Sequence, residues 1–288
     1  MNNPPSLRVA IIGCGKVGSV LGAALAAAGH EVVAVSATSD ASLERAATLL
    51  PGVPVLPIPQ VARAGEVVLM TVPDDALGPL AAGLATEGAW DGGRLVVHAS
   101  GFHGTAVLEP VLHAGGDVIA MHPAMTFAGT PKDLERISGT PFAVTASPGA
   151  ELVGQALAID IGGDPFLLAE EDRPKYHAAL SHGSNHLVTL VAQAQQLLRE
   201  VGIDDPSRLL SPLLQASLDN SLERGDKALT GPVSRGDVAT VAAHLRVLAG
   251  SEDVEMAYRA MARATAMRTA RRRAMPAESV QPLLEELS

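Results

Sequence analysis

One segment near the start of the chain sets the fold of its first half, Leu7-Arg8-Val9-Ala10-Ile11-Ile12-Gly13-Cys14-Gly15-Lys16-Val17-Gly18. Its first part is an apolar run, typical of a strand that is buried on both faces. An alanine-rich helical pattern follows up to Gly29, and a second apolar run begins at Glu31. This order predicts a strand, a helix and a parallel strand, the unit from which α/β domains are built.

The glycines of this segment follow the G-x-G-x-x-G pattern, which in this strand-turn-helix context predicts a dinucleotide-binding loop. Gly13 would permit the tight turn, Gly15 would let the backbone approach a pyrophosphate, and Gly18 would allow close packing of helix on strand. Lys16 and Val17 complete the loop and are predicted to contact the cofactor at the N-terminus of the helix. The alternative is a glycine-rich turn without a ligand.

The end of the second strand distinguishes between the two nicotinamide cofactors. An enzyme that uses NAD usually has an acidic residue there, which accepts a hydrogen bond from the ribose 2′-hydroxyl. This strand ends in Ser36, Thr38 and Ser39, whose hydroxyls could donate to a 2′-phosphate. We therefore predict that the cofactor is NADP, to which Arg45 could add positive charge. Asp40 keeps NAD as the alternative, and the hydroxyls could also be ordinary turn and cap groups.

The predicted secondary structure of the rest of the chain changes once, from alternating strands and helices to helices alone. Further strand-like runs alternate with helical stretches up to about Asp164, at Glu66–Val72, Arg94–Ala99, Asp117–Met121 and Pro141–Ala146. Strand signals then stop, and helical patterns cover Arg173–Val201, Leu209–Arg224, Asp237–Ala249 and Asp253–Ala274. We predict a nucleotide-binding α/β domain with a mostly parallel, doubly wound sheet over residues 1–164, and an all-helical substrate and dimerisation domain over residues 165–288.

Composition limits the kind of protein. Hydrophobic residues make up 47% of the 288 residues and charged residues 18%, which excludes a disordered chain. The net charge of −10 argues against nucleic acid or an anionic membrane as the partner. A single cysteine, Cys14, excludes an intrachain disulfide framework, and the N-terminal segment lacks the apolar core of a signal peptide. We expect a soluble cytoplasmic protein.

Several motifs carry a family resemblance. The glycine loop, Thr71-Val72-Pro73-Asp74-Asp75 and His98-Ala99-Ser100-Gly101 resemble the 6-phosphogluconate dehydrogenase-like superfamily, which includes β-hydroxyacid dehydrogenases, pyrroline-5-carboxylate reductases and ketopantoate reductases. More narrowly, three later motifs resemble a bacterial family of Rossmann-like oxidoreductases whose C-terminal domain has no known function. These motifs are Met121-His122-Pro123-Ala124-Met125-Thr126-Phe127, Lys175-Tyr176-His177-Ala178-Ala179 and Leu229-Thr230-Gly231-Pro232-Val233-Ser234-Arg235-Gly236-Asp237.

The resemblance implies a Rossmann domain followed by a helical domain of the 6-phosphogluconate dehydrogenase-like type, which usually builds a homodimer interface. Some actinobacterial members resemble an alternative ketopantoate reductase of pantothenate synthesis. In the wider superfamily an early helix of the second domain presents a lysine and an asparagine toward the nicotinamide, which implies these roles for Lys175 and Asn185. One departure is that relatives often carry an arginine after the second strand, where this chain has Ala37-Thr38.

Polar residues at the ends of the strands are candidates for the site, since ligands of open α/β sheets bind there. Val72, Pro73, Asp74 and Ser100 are predicted to contact the cofactor. Ser100 could also hydrogen-bond a substrate, and His122 could orient it, so both are placed among the catalytic candidates. The alternatives are a hydroxyl that closes an ordinary turn, a structural histidine, and aspartates that cap a helix.

The helix that begins at Arg173 carries a polar stripe containing Lys175, His182 and Asn185, opposite an apolar face. The stripe is almost free of Glu and Lys, which favours a wet cavity over a solvated surface. Lys175 could protonate or neutralise the heteroatom that gains negative charge during hydride transfer. Asn185 would position the substrate, with His182 as an alternative that would also bind it.

The substrate carboxylate needs a binding site of its own. Arg235 could clamp a carboxylate, and Thr230 and Gly231 could approach it from a loop between two helices. Thr126 follows the predicted fifth strand and is a further candidate. A plain helix connector with Asp237 as the N-cap is the alternative for the 230–237 segment.

Taken together, these features predict an NADP(H)-dependent reductase that acts on the C=O or C=N group of a small carboxylate, with ketopantoate as the leading substrate. A pyrroline-5-carboxylate-type imine reductase and a β-hydroxyacid dehydrogenase are alternatives within the class. A non-catalytic NADP sensor is an alternative from another class. His182 and His186 have the spacing of two metal ligands, but neither a Glu base nor a third ligand accompanies them, so no metal site is predicted.

Overall fold

The computed structural model describes residues 6–288, so most of the N-terminal segment discussed above lies outside the described residues. Its first part is a seven-stranded sheet in the order β2-β1-β3-β4-β5-β6-β7, in which only the pair β5–β6 is antiparallel. The strands are β1 Arg8–Ile12, β2 Glu31–Ser36, β3 Val67–Met70, β4 Leu95–His98, β5 Asp117–Pro123, β6 Pro141–Ala146 and β7 Asp164–Leu167. The predicted fold class, a mostly parallel sheet with helices followed by a helical part, is confirmed.

The helices of the sheet region are α1 Lys16–Ala27, α2 Asp40–Leu49, α3 Ile58–Ala64, α4 Asp74–Thr86, α5 Glu109–His113, α6 Lys132–Ile137 and α7 Glu151–Asp160. The helices that follow are α8 Arg173–Glu200, α9 Pro206–Arg224, α10 Gly231–Arg235, α11 Val238–Leu248, α12 Glu252–Arg271 and α13 Ala277–Glu286. None of the described helices is long and apolar enough to span a bilayer.

Alternate residues of the central strand point to two separate cores, which is why its sequence is continuously apolar. Val9 and Ile11 pack with residues of α1, α2 and α7 on one face of the sheet. Ala10 and Ile12 pack with residues of α3, α4 and α5 on the other face. All four residues are fully buried. The doubly wound arrangement therefore follows directly from the hydrophobic pattern.

The strand β7 corrects the expectation that strand signals end near Asp164. It pairs with β6 at the edge of the sheet, where Pro165 lies opposite Phe142. The strand is only four residues long and three of these residues are exposed, so it differs from the longer buried strands that the sequence predicts. Proline is also tolerated on an edge strand because one side needs no ladder hydrogen bond. Sequence periodicity could not reveal a strand of this kind.

A fully buried arginine ties the start of α8 to the sheet. The Arg173 guanidinium donates to the backbone oxygens of Ser100 (2.8 Å), Ala120 (2.8 Å) and Ala143 (3.1 Å). Its Nε donates to the Thr145 hydroxyl at 2.7 Å. A buried charge is stable only when its hydrogen-bonding capacity is met in this way. The first turn of α8 is therefore held against β4, β5 and β6.

The described structure divides into two compact units after His182, within α8. The change in sequence style predicts a boundary after Asp164 instead. The division lies later in the chain because the start of α8 is bound to the sheet. The second unit has a small core formed by α10 to α13, around Val233, Val241, Leu245, Ala262, Ala266 and Leu283. In α8, only Arg173 is buried.

Candidate functional site

The glycine loop connects β1 to α1 and has the geometry that the sequence predicts. Gly13 has a φ of +95°, and a Cβ there would lie 2.9 Å from the Thr71 carbonyl oxygen. A Cβ on Gly18 would overlap the Gly13 carbonyl oxygen and the Thr71 hydroxyl. At Gly15, by contrast, a Cβ would meet nothing within 4 Å. The missing side chain of Gly15 thus leaves an open cradle at the N-terminus of α1.

Two hydroxyl groups hold the loop in this shape. The Ser36 side chain, which is buried, accepts the backbone N–H of Gly13 at 2.9 Å. The Thr71 hydroxyl donates to the carbonyl oxygen of Gly13 at 2.7 Å. Ser36, predicted to contact the cofactor, is thus engaged with the loop itself. Thr71 was missed as a candidate, although its place directly after β3 was a signal for it.

A cavity of about 240 Å³ opens beside this loop. It brings together most of the predicted cofactor residues, from the loop, from the end of β2 and from the segment after β3. Its lining consists of Gly13, Cys14, Gly15, Ser36, Ala37, Thr38, Ser39, Ser42, Ile58, Thr71, Val72 and Pro73. Lys16 and Gly18 do not line it, and Ser42 and Ile58 are residues that the sequence did not suggest.

The hydroxyls after β2 form a helix cap. Ser39 is the N-cap of α2, and its side chain accepts the Ser42 backbone N–H at 3.2 Å. The Ser42 hydroxyl in turn accepts the backbone N–H groups of Thr38 and Ser39 at 3.1 and 3.0 Å. The cap that we considered as the alternative is therefore present, and it fixes the backbone at the cavity wall. Thr38 stays exposed at this wall.

A second cavity of about 140 Å³ shares Thr71 and Val72 with the first one and reaches the end of β4. Its lining consists of Val17, Met70, Thr71, Val72, Asp74, Ala99 and Ser100. Together the two cavities form a groove, here called the strand-end groove, along the C-terminal ends of β2, β1, β3 and β4. Ligands of open α/β sheets bind at this edge.

Ser100 closes a network at the far end of the strand-end groove. Its hydroxyl donates to Asp74 Oδ2 at 2.9 Å and accepts the backbone N–H groups of Phe102 (3.2 Å) and His103 (3.1 Å). The hydroxyl is thus saturated by protein groups, as in the turn-closing alternative. Asp74 is the first residue of α4 rather than its cap, because Pro73 occupies the N-cap position.

His98, at the end of β4, is a structural residue that shapes the same turn. Its Nε2 lies 2.8 Å from the carbonyl oxygen of Gly104, and its Nδ1 accepts the backbone N–H of Ser100 at 3.2 Å. These partners assign the neutral form with the proton on Nε2. Burial lowers the pKa of His98 to about 4, which agrees with that assignment.

His122 lies one element further along the sheet, at the end of β5. Its Nδ1 shares a hydrogen bond of 2.9 Å with the Tyr176 hydroxyl, and the two rings meet edge to face with centroids 5.6 Å apart. The centroid of His177 lies 6.4 Å from that of His122. A Cβ on Gly101 would come within 3.0 Å of His122 Nε2 and 2.8 Å of His177 Cδ2. Glycine at 101 therefore makes room for both imidazoles.

Burial lowers the pKa of His122 to about 4, and the neighbouring Arg173 and His177 side chains act in the same direction. Burial raises the pKa of Tyr176. At neutral pH the imidazole is thus uncharged and the phenol is protonated. Tyr176 was not among the candidates. The signal for it was its position in the same short motif as Lys175.

The structure does not bring Lys175 into a comparable network. Its side chain is exposed, and among residues 6–288 it makes no hydrogen bond or ion pair. His182 and Asn185 lie further along α8, also exposed, on either side of the division between the two units. The catalytic role of Lys175 stays a prediction, as do the roles of His182 and Asn185. Thr126 is exposed in the segment after β5.

In the second unit, Thr230 lines a cavity of about 560 Å³ together with Arg224 and Lys227. Gly231 and Arg235 are the first and last residues of α10 and do not line this cavity. Asp237 accepts the Thr240 backbone N–H at 3.0 Å, so it is the N-cap of α11. This is the role that the alternative interpretation, a plain helix connector, assigns to it. Among residues 6–288, no cluster of three acidic, histidine or cysteine side chains could hold a metal ion.

Comparisons with known proteins agree with this architecture. The Rossmann-like domain family matches residues 2–123, and a domain of unknown function, DUF2520, matches residues 140–265. No curated protein matches the chain.

Solved structures resemble almost the whole chain. A candidate NADP oxidoreductase from Bacteroides fragilis has a TM-score of 0.76 at 22% identity, covering 90% of this chain and 98% of its own. A protein from Thermotoga maritima has a TM-score of 0.65 at 23% identity, with coverage of 92% and 99%. Pyrroline carboxylate reductase from Plasmodium falciparum, solved with NADP bound, has a TM-score of 0.58 at 13% identity, with coverage of 91% and 98%. At these identities the likeness shows the fold alone, and the two family models identify a Rossmann-like domain followed by a DUF2520 domain along this chain.

Proposed function

We propose that this protein is an NADP(H)-dependent oxidoreductase that reduces the C=O or C=N group of a small carboxylate, with ketopantoate as the leading substrate. The observation that carries the proposal is the strand-end groove. It runs from the cradle at Gly15 to Ser100 at the end of β4. A dinucleotide is the kind of ligand that needs a long groove with a backbone cradle near one end.

The cradle suits a pyrophosphate for two reasons. The open space at Gly15 admits phosphate oxygens close to the backbone. The N-terminus of α1, a helix of 12 residues, offers unpaired backbone N–H groups and the positive end of the helix dipole. Lys16 and Val17 are the first residues of that helix. We therefore assign the pyrophosphate of the cofactor to this end of α1.

NADP is favoured over NAD by the wall of the first cavity. The described residues that line it beside the ribose position include Thr38 and Ser39, and none of them is acidic. A carboxylate there would repel a 2′-phosphate, whereas hydroxyls can donate to it. The similar proteins from Bacteroides fragilis and Plasmodium falciparum are both associated with NADP, which supports the same choice.

When bound, a reduced nicotinamide supplies the hydride. The chain itself must bind and orient the substrate and provide a proton for its heteroatom. Lys175, Ser100, His122 and Asn185 are the residues that sequence reasoning assigns to this task. Thr126, His182, Thr230, Gly231 and Arg235 are assigned to the substrate. An imine of the pyrroline-5-carboxylate type and a β-hydroxyacid are the alternative substrates, since pyrroline-5-carboxylate reductases are among the similar structures.

We further propose that the helical unit forms a homodimer. Apolar side chains on α8 and α9 are exposed to solvent, among them Leu187, Val188, Leu190, Leu209, Leu213, Leu218 and Leu222. A cavity of about 690 Å³ between these helices and Met261 of α12 is lined mainly by apolar groups. Exposed apolar surface of this extent is typical of a protein interface.

The test of the proposed function measures binding and turnover separately. NADPH and NADH are titrated by fluorescence, and NADPH oxidation is then followed with ketopantoate, pyrroline-5-carboxylate and short 2-ketoacids. We expect tighter binding of NADPH and turnover with one of these substrates. Absence of dinucleotide binding would refute the proposal, and binding without turnover of any substrate would favour the non-catalytic sensor.

A further inference from the structure

We infer that Tyr176 is the proton donor to the substrate heteroatom and that His122 is the positioning residue that returns a proton to it. The inference rests on the proposed function, because it names the acid of that reduction. It replaces Lys175 in that role. Its basis is the convergence of two separate motifs, one after β5 and one at the start of α8, in a single hydrogen bond of 2.9 Å.

The Tyr176 phenol is linked to the end of the strand-end groove through His122. Ser100 is the last residue that lines the groove, and Gly101 follows it directly. The atoms that a Cβ on Gly101 would meet first belong to the side chains of His177 and His122. His122 in turn holds the Tyr176 hydroxyl. His122 therefore connects the phenol to the end of the groove opposite the Gly15 cradle, where the reacting end of a bound dinucleotide belongs.

The backbone around Tyr176 is rigid, which an acid needs if it is to stay near a reacting atom. Arg173 holds the start of α8 to the sheet through three carbonyl oxygens. Glu170 fastens the preceding turn, because its carboxylate accepts the backbone N–H of Thr105 at 2.7 Å and that of Ala106 at 3.2 Å. Tyr176 follows Arg173 by one helical turn. Its ring is thus fixed by the sheet and does not depend on the rest of α8.

The protonation of His122 decides whether Tyr176 can act as an acid. Arg173, His177 and Asp74 are the charged or titratable groups that act on His122, and Arg173 also acts on Tyr176. His122 is uncharged at neutral pH, so only one of its nitrogens carries a proton. With that proton on Nδ1, the imidazole donates to the Tyr176 oxygen and leaves the phenolic hydrogen free for a substrate. With it on Nε2, Tyr176 would donate to His122 instead and could not serve as the acid.

The proton transfer balances in the first of these forms. The O–H bond of Tyr176 breaks as its proton joins the substrate oxygen or nitrogen that receives negative charge on reduction. The resulting phenolate takes the Nδ1 proton of His122, while Nε2 of the same ring takes a proton from water. Tyr176 is then protonated again, and His122 is neutral with its proton on Nε2. Movement of this proton to Nδ1 restores the starting form. One solvent proton is consumed for each hydride delivered.

Exposure distinguishes Tyr176 from Lys175. The lysine is exposed, so its ammonium is screened by water and not directed at any group. Tyr176 is half-buried and already oriented by a partner. A general acid has to be held within hydrogen-bond distance of its acceptor, and orientation by a second residue achieves this.

The test compares Tyr176→Phe with a matched control, Tyr258→Phe. Tyr258 shares a hydrogen bond of 2.8 Å with His244 in the helical unit, and those rings also meet edge to face. Removal of a general acid costs about 100-fold to 10,000-fold in rate. We expect Tyr176→Phe to lower kcat by at least about 100-fold while the Kd for NADPH changes by less than about twofold. We expect Tyr258→Phe to leave kcat within about twofold.

Two further readouts test the role of His122 independently of Tyr176→Phe. In His122→Asn, kcat should fall while KM stays close to the wild-type value, and added imidazole should restore part of kcat. In protein labelled with ¹⁵N-histidine, the His122 signals should show the proton on Nδ1 when NADP⁺ is bound, whether or not a substrate has been found. The Nε2 form in that complex would overturn the inference.

The outcomes separate the inference from the proposed function. If the wild type binds NADPH and turns over while Tyr176→Phe keeps kcat within about threefold, the inference is refuted and the proposed function stands. Loss of kcat in Lys175→Ala together with retention in Tyr176→Phe refutes the inference as well and returns the role of the acid to Lys175. If the wild type binds no dinucleotide, the proposed function itself fails.

Discussion

The two His–Tyr pairs of this protein have nearly the same geometry in different surroundings. The rings of His122 and Tyr176 are 5.6 Å apart at 85°, and those of His244 and Tyr258 are 5.7 Å apart at 83°. In the first pair, His122 lies beside Gly101, which follows the last residue of the strand-end groove. The second joins α11 to α12 beside the small helical core. Pair geometry alone therefore does not indicate chemistry, and the position relative to the groove does.

The largest expected effect, on the free energy of unfolding, comes from removing Arg173, which holds the start of α8 and with it Tyr176 to the sheet. Arg173→Leu leaves the carbonyl oxygens of Ser100, Ala120 and Ala143 buried without their donor. A buried acceptor that is left without its donor costs about 1–3 kcal/mol. We expect the free energy of unfolding to fall by about that amount, measured by urea denaturation. Arg246→Leu, at an exposed position of α11, is the control and should change it by less than about 0.5 kcal/mol. Equal effects of the two variants would contradict the role assigned to Arg173.

A substitution at Gly101 should displace His122 without removing any group of the His122–Tyr176 pair. In Gly101→Ala the new methyl group would press on His122 and His177. We expect kcat to fall by about 10-fold to 100-fold with the Kd for NADPH nearly unchanged, because small displacements of an acid cost rates of this order. Gly183→Ala is the matched control, since a Cβ there meets nothing within 4 Å. If Gly101→Ala has wild-type kcat, the imidazole positions are not critical.

The buried histidines near the groove should make stability depend on pH. His98 and His122 have folded-state pKa values lowered to about 4 from 6.5, so the unfolded chain binds protons more readily. The stability that they contribute is present above about pH 6.5 and is lost as the pH falls toward 4. Each group adds a slope of up to about 1.4 kcal/mol per pH unit in this window. Urea denaturation of His122→Asn between pH 4 and pH 7 should show a shallower slope than the wild type, and an unchanged slope would contradict the burial argument.

The smallest effect on folding is expected in the helical unit. Leu222 on α9 is 79% exposed, so Leu222→Glu should change the free energy of unfolding of a subunit by less than about 0.5 kcal/mol. The same change should weaken the proposed dimer by about 10-fold or more, since it places a charge in an apolar interface. Analytical ultracentrifugation measures this. Leu152→Glu on α7, at 77% exposure, is the matched control and should leave the association unchanged.

Much of the first unit could be predicted because its signals are local. Six of the seven strands coincide with apolar runs, since a strand covered on both faces must be apolar along its length. The glycine loop was recognisable because Gly13 and Gly18 meet steric demands from the loop itself and from Thr71 after the adjacent strand, while Gly15 leaves space open beside the backbone. The edge strand β7 was missed, because it is only four residues long and contains a proline, which argues against a strand in the interior of a sheet.

The candidate site was only partly predictable. Gly13, Gly15, Thr38, Ser39, Val72 and Pro73 do meet at one cavity, as expected of residues at adjacent strand ends. The hydroxyls of Ser36 and Ser100, however, are engaged by protein groups, and no pattern in the sequence shows which partners a hydroxyl will find. Lys175 was predicted from residue type alone, whereas the inference for its neighbour Tyr176 depends on burial and on a hydrogen-bond partner that only the tertiary structure shows.

Hydrophobic period and glycine placement, both properties of short segments, were enough to specify the α/β unit, its glycine loop and the helical half. Packing between distant segments decided where α8 is anchored and which side chain of its first turns meets His122. The Tyr176–His122 contact joins residues 54 positions apart, and Arg173 reaches 73 positions back to Ser100. Such contacts depend on how strands order themselves across the sheet, because the energy that forms them comes from burial and not from any local preference of the chain.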